Sequence, residues 1–382
     1  MAALSSLHEW IELTKRTPWQ NYTFTYHYTK AITEINQSQS TLPLEVILIS
    51  CLLFAHCDFL MGASASGLSH LKSGNRIITE NRKRGAQIIP EIVDFIEPII
   101  HGFMVKSETY QMKEETGPRA QLTEQATYAL PEMPDIFSDL TQANKHLQEA
   151  VYWVLLLELG KPHHLSTMTP GVRKYVAEWA TAFGRWKASL ENEDPLLKDW
   201  QLLLLSHHRM ALLILKTLPP ECDNNYSRAS ADFRIMFAQL RTFLRSGHAS
   251  LDDTESSKLV LKKHLGLITP LFFIATQCRV RDIRQNALEA LKDLDVVEGH
   301  WNSCVAYAVA KAVIEIEDTN DYTAAARASR IKVDSVDRSR DGQLFMKYHK
   351  VPGIGSSDDI SVHLITEPVC HHAETMQWVC PP

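Results

Sequence analysis

The stretch PLEVILISCLLFAHCDFLMGASASGLSHLKSGNRIITENR, residues 43–82, constrains this chain most strongly. Its first half sets Leu44, Ile47, Leu48, Cys51, Phe54, Ala55 and Phe59 at helical spacing, while Val46, Ile49, Leu53 and Leu60 fill most of the other side. A helix that is apolar nearly all round is expected to be buried on several sides. It does not suit a bilayer, because Glu45, His56 and Asp58 interrupt a run already short of a span. Gly62 then offers a residue that tolerates positive φ just past a helix end. The second half is a thinner amphipathic helix with Leu68, Leu71, Asn75 and Ile78 along one face. Two antiparallel helices joined by a glycine-containing turn make an αα-hairpin, the unit of helical-repeat scaffolds.

Around this hairpin the chain reads as mainly helical. Periodicity predicts helices over 2–15, 22–37, 88–104, 136–159, 172–190, 195–218, 233–243, 282–294 and 301–316. A segment at 254–278 is expected to kink or split at Gly266 and Pro270. Pro195 is a favourable first helical residue, and Pro219-Pro220 is a hard stop. Residues 106–134 are different: rich in Glu, Gln and Thr and closed by Pro131 and Pro134, they read as a mobile loop or insertion. After residue 329 the period changes. Ile331, Val333 and Val336, then Leu344, Met346 and Tyr348, form two short strands around Arg340-Asp341-Gly342, a hairpin turn signal. Weak strands are expected at 361–365 and 376–380. The expected class is mainly α, a multi-helix antiparallel αα-hairpin domain, repeat-like, with a small C-terminal β-hairpin. Its parts would be an N-terminal helical half (1–105), a loop (106–135), a C-terminal helical half (136–329), and the β-hairpin with its tail (330–382).

At 382 residues, the chain can bury a full core as one large helical domain or two intimate halves. A formal net charge of −6 with no basic tail argues against gripping nucleic acid through the surface field. The one basic patch, Arg76, Asn81, Arg82, Lys83 and Arg84, reads as a solvated helix end. The 7 cysteines, Cys51, Cys57, Cys222, Cys278, Cys304, Cys370 and Cys380, are odd in number and partly inside apolar helical patterns, as in reduced thiols of cytosol or nucleus. No signal peptide is visible. Residues 201–218 come nearest to a membrane span, and His207, His208 and Arg209 break them.

No constellation of catalytic residues stands out. Three histidine pairs occur, His163-His164, His207-His208 and His371-His372, but adjacent helical positions point about 100° apart and rarely share a metal. Gly353-Ile354-Gly355 lacks a third glycine and a following helix, so it is not a phosphate loop. The run from Gly62 to Gly67 has the wrong spacing for a nucleophile elbow. Cys51 and Cys57 lie on the apolar helix, where thiols act as small hydrophobes. Accordingly no catalytic, cofactor-binding or metal-ligating residue is expected. Trp153, Trp179, Trp186, Trp200 and Trp301 fall in helical patterns and are read as core, with an inter-helix ligand pocket as the alternative.

Several stretches resemble one family. Leu48 to Ala55, followed by Phe59, Gly62, Leu68, His70, Leu71, Gly74 and Ile77, is similar to the regulatory region of fungal zinc-cluster transcription factors. Leu4, Leu7, His8, Glu9, Tyr28, Ala31 and Ile32 resemble that family's approach to the hairpin, and 202–215 its long central helix. The closest stretch holds Ala275, Cys278, Arg279, Ile283, Arg284, Ala287 and Leu288, then Glu298, Gly299, Trp301, Ser303, Ala308 to Ala310, Ile314 and Glu317. The hairpin at 333–348 matches the family's usual ending. The resemblance covers most of the chain except 106–134.

It implies a fungal-specific transcription factor domain in the nucleus, controlling a metabolic or secondary-metabolite gene set. Its partners would be other transcription regulators or coactivators, and a small-molecule effector and a homodimer are compatible with it. The family binds DNA through six cysteines holding two zinc ions, beginning Cys-x-x-Cys. This chain has no Cys-x-x-Cys and no cysteine before Cys51. DNA would be reached only through a missing zinc cluster or a partner, and the expectation is either that upstream sequence is lost or that the chain is a paralogue retaining the regulatory region alone. The rival expectations are a ligand-free helical interaction scaffold and a pathway enzyme recruited from this fold.

Overall fold

The computed structural model describes residues 2, 5, 22–38, 42–60, 64–84, 89, 96–97, 99–100, 130–159, 162–190, 194–218, 226, 229–246, 266–294, 296–298, 301–319, 330–338, 344–351 and 360–366. The fold class is as expected, mainly helical with a small antiparallel C-terminal sheet. In chain order the described helices are α1 (Tyr22–Ser38), α2 (Leu44–Leu60), α3 (Ser64–Lys83), α4 (Leu140–Leu159), α5 (Pro162–Ala188), α6 (Pro195–Thr217), α7 (Ser230–Arg245), α8 (Ile268–Gln277), α9 (Arg281–Asp293) and α10 (Ser303–Thr319). The strands are β1 (Val297–Glu298), β2 (Trp301–Asn302), β3 (Arg330–Arg338), β4 (Leu344–Val351) and β5 (Ile360–Ile365). Most of the expected helix at 2–15, most of that at 88–104, the loop at 106–129, Gly62, Pro219-Pro220, the turn at 340–342 and the strand at 376–380 lie outside the described residues.

The pivot hairpin is α2 packed on α3. A methyl group at Gly74 of α3 would make ordinary contact with Cys51 Cβ of α2 at 3.5 Å and a tighter one, 3.1 Å, with Ile100 Cδ1. The apolar helix is less enclosed than its composition suggests. Leu48, Ala55, Cys57 and Asp58 are buried, but Val46 and Ile49 remain 41% and 43% exposed. Cys57 lies about 180° round the helix from Leu48, so burial does reach several sides and, among the described side chains, leaves out only the arc of Val46, Ile49 and His56.

Element ends follow local chemistry. α4 begins at Leu140, not 136, because Asp139 accepts the backbone N–H of Gln142 at 2.8 Å while Gln142 Oε1 accepts that of Ser138 at 2.7 Å, a capping-box arrangement. α5 starts ten residues before the expected 172 and runs through Pro170. The expected helix at 301–316 is shifted: Trp301 belongs to β2, paired with β1, and α10 begins at Ser303. There Ser303 N–H donates to the Val296 carbonyl at 3.0 Å, and its hydroxyl accepts the Val296 N–H at 3.2 Å.

Buried side chains from both helical halves and the sheet form one apolar cluster. The sheet has the order β3-β4-β5, all antiparallel, so the expected hairpin gains the third strand at 360–365. A register shift between Val333 and Ser335 explains why both Ile331 and Val336, of opposite parity, reach the core. Among the described residues no helix is long and apolar enough to cross a membrane.

Candidate functional site

The tryptophans read as core or pocket are packed by other side chains. Trp179 on α5 is fully buried, stacked on Phe183 at 4.7 Å and on His208 of α6 at 4.9 Å, and its indole N–H donates to the Ala143 carbonyl of α4 at 2.7 Å. Trp186 continues this ladder against Phe183. Trp153 donates to Glu149 one turn earlier on its own helix, at 2.8 Å. Trp200 meets Phe243 of α7 edge-on at 5.0 Å, and its buried indole N–H has no hydrogen-bond partner. The structure thus distributes these four over three separate neighbourhoods of α4, α5, α6 and α7. The Trp301 side chain lies outside the described residues.

Four of the residues that carry the family resemblance at 270–317 pack against the two ends of α8. Gly266 precedes α8, and the Glu298 carboxylate accepts the backbone N–H groups of Leu267 at 2.6 Å and Ile268 at 3.1 Å. These are orphan donors of a helix N-terminus, which a carboxylate satisfies both by hydrogen bonding and by its charge. A methyl group on Gly266 would overlap that carboxylate, so any side chain there displaces Glu298 from the helix end. The Gly266 carbonyl in turn meets His207 Nε2 of α6 at 2.8 Å.

At the opposite end of α8, Arg284 of α9 donates to the carbonyls of Ala275 at 2.6 Å and Thr276 at 3.3 Å. It also meets Glu317 of α10 at 2.6 Å, and Arg279 meets the same carboxylate oxygen at 3.0 Å. The other Glu317 oxygen accepts the Ile331 backbone N–H of β3 at 3.3 Å. Arg284 and Glu317 are both buried, so this node joins α8, α9, α10 and the sheet through charge-assisted bonds away from bulk water.

A second buried carboxylate sits in the pivot region. Asp58 of α2 accepts the Tyr28 hydroxyl of α1 at 2.7 Å, and its other oxygen lies 3.4 Å from His70 Nε2 of α3. Burial, with the hydrogen bond and charge of Asp58 added, pushes the Tyr28 phenol far above its usual range. Burial likewise raises the thiols of Cys51 and Cys278, and pushes Cys57, beside Asp58, up to about 12. A raised thiol pKa lowers the thiolate fraction, and such thiols pack as small hydrophobes.

The central histidines divide as expected for neighbours on a helix. His207 binds the Gly266 carbonyl, while His208 faces the Val176 carbonyl of α5 at 3.0 Å, and burial lowers the His208 pKa. The side chains of His163 and His164, and all of His371 and His372, lie outside the described residues. Among the described residues no group of three or more His, Cys, Asp or Glu side chains could hold a metal ion. The basic patch is an exposed helix end: Arg82 pairs with Glu97 at 2.6 and 2.9 Å, and Arg76 lies 3.9 Å from Glu80. Sequence reasoning did not single out the Gly266–Glu298 pairing, the Tyr28–Asp58 bond or the buried carboxamides of α4. Asp58 carried a signal, as a charge inside an otherwise apolar helix.

No protein-family model matches the chain, and neither the curated proteins nor the solved structures contain a match.

Proposed function

We propose that this chain is a regulatory, effector-sensing domain of the fungal zinc-cluster transcription factor type, acting without catalysis on a metabolic or secondary-metabolite gene set in the nucleus. It works by presenting or hiding surfaces for other regulators or coactivators, with a small molecule shifting the balance between the two states. It reaches DNA through a zinc cluster on another segment or through a partner. The observation that carries this reading is that Arg279, Arg284 and Glu317, all residues of the family resemblance, meet at one end of α8, while Glu298, another of them, caps its other end. Residues that match a family pattern and also meet in space support it better than a linear match alone.

A ligand-free interaction scaffold is the second reading, favoured by the tight packing of Trp153, Trp179, Trp186 and Trp200. DNA-binding titrations over a range of salt test the first reading. The chain alone is expected to leave duplex DNA unbound. Specific, salt-dependent binding by this chain would mean that one of its own helices reads the duplex, and would overturn the assignment.

A further inference from the structure

We propose that Gln148, with Asn144 one turn before it on α4, is a seat for a neutral ligand bearing a cis-amide edge, such as a lactam or a cyclic imide. Both side chains are only 2% exposed. Yet among the described residues Gln148 Oε1, Gln148 Nε2 and Asn144 Oδ1 find no hydrogen-bond partner. An unpaired buried polar group costs its full desolvation penalty, so a leucine or methionine at either position would suit the core better. The two carboxamides stand in a buried stripe with Leu140, Val151 and Leu155. That stripe lies about 200° round the helix from His146, whose Nδ1 meets Tyr175 of α5 at 2.8 Å, so it looks away from α5. α6, which packs on α4, carries another such group: Gln201 is buried, with both amide atoms unpartnered.

The chemistry follows from the group. A primary carboxamide sets one acceptor beside one donor, and a cis-amide edge offers the complement, so the two close a paired hydrogen bond. Gln and Asn read the edge of adenine by the same logic. Asn144 Oδ1 adds an acceptor for a further N–H or O–H. A charged ligand would need a buried counter-charge, and Lys145 and Glu149 are each about 100° round the helix from the carboxamide next to them in sequence. For its biological use this seat rests on the sensing half of the proposed function. The binding itself is measured on the purified chain, so the two fail separately.

The experiment compares thermal melts of the full chain in 2-piperidone and in N-methyl-2-piperidone, which lacks the N–H, at equal concentration. The expected result is a melting temperature about 1–3 °C higher in 2-piperidone. Gln148→Met abolishes that difference and leaves the ligand-free melting temperature unchanged or slightly raised, because it removes an orphan amide at nearly constant volume. Equal melts of the unsubstituted chain in the two lactams would overturn the proposal, whatever the variant does. So would a difference that survives in Gln148→Met, or a ligand-free Gln148→Met that melts lower. If lactam binds but the chain has no regulatory output, the seat stands and the regulatory reading falls.

Discussion

Two regions of this protein use one device, a buried carboxylate that ties helices together, with very different partners. Around the pivot hairpin, among the described residues, Asp58 takes a phenolic hydrogen bond from Tyr28 and has a histidine ring near its second oxygen. Around α8, Glu317 takes two guanidinium contacts and a backbone N–H, and Glu298 takes two more backbone N–H groups. Hydrogen bonds from charged donors are roughly twice as strong as neutral ones, and breaking a buried ion pair leaves an uncompensated charge. The α8 block is therefore the one cross-linked by charge-assisted bonds. The pivot hairpin, apolar as it is, leaves Val46 and Ile49 in solvent. Hydrophobic composition and structural closure are thus separate properties, and the polar residues decide the second.

The sharpest way to break this contrast is Glu317→Ala. It strands Arg284 in the core, and urea unfolding should show a loss of about 3–5 kcal/mol. Gly266→Ala comes next, because the new methyl expels the Glu298 carboxylate from the α8 N-terminus, with an expected loss of about 2–4 kcal/mol. The double variant with Glu298→Ala should cost less than the sum of the two single changes, since both remove the same contact. Asp58→Ala, which strands the Tyr28 hydroxyl, should lose about 1–3 kcal/mol. Smallest is Ile49→Lys, expected within about 0.5 kcal/mol of the unsubstituted chain because its side chain already meets water. A large loss at Ile49 would mean that the apolar helix is enclosed after all.

The long helices and the sheet were legible because their periodicity is strong. The pivot hairpin, the central helix and the strands near 331–348 appear where apolar spacing places them, and even Ile331 and Val336 sit inward once the bulge is counted. Boundaries were less legible. The helix expected from 172 in fact starts at Pro162 and passes through Pro170. Trp301 reads as helical by spacing, but the pairing of Glu298 with Trp301 makes it a strand residue. The α8 node was visible only as a row of matching residue types. That Arg284 and Glu317, 33 positions apart, share a hydrogen bond is long-range information that spacing does not encode. The orphan carboxamides of α4 were hidden for a related reason: Asn144 and Gln148 look like ordinary polar residues until their neighbours are known.

The most direct test of the regulatory reading is a tethered reporter. This chain is fused to a DNA-binding domain of unrelated origin and assayed on a promoter bearing that domain's site in a fungal host. Reporter output should change relative to the tethering domain alone, in either direction, and Glu317→Ala should abolish the change by unfolding the α8 block. Output identical to that of the tethering domain alone, from a fusion that is expressed and folded, would contradict the account.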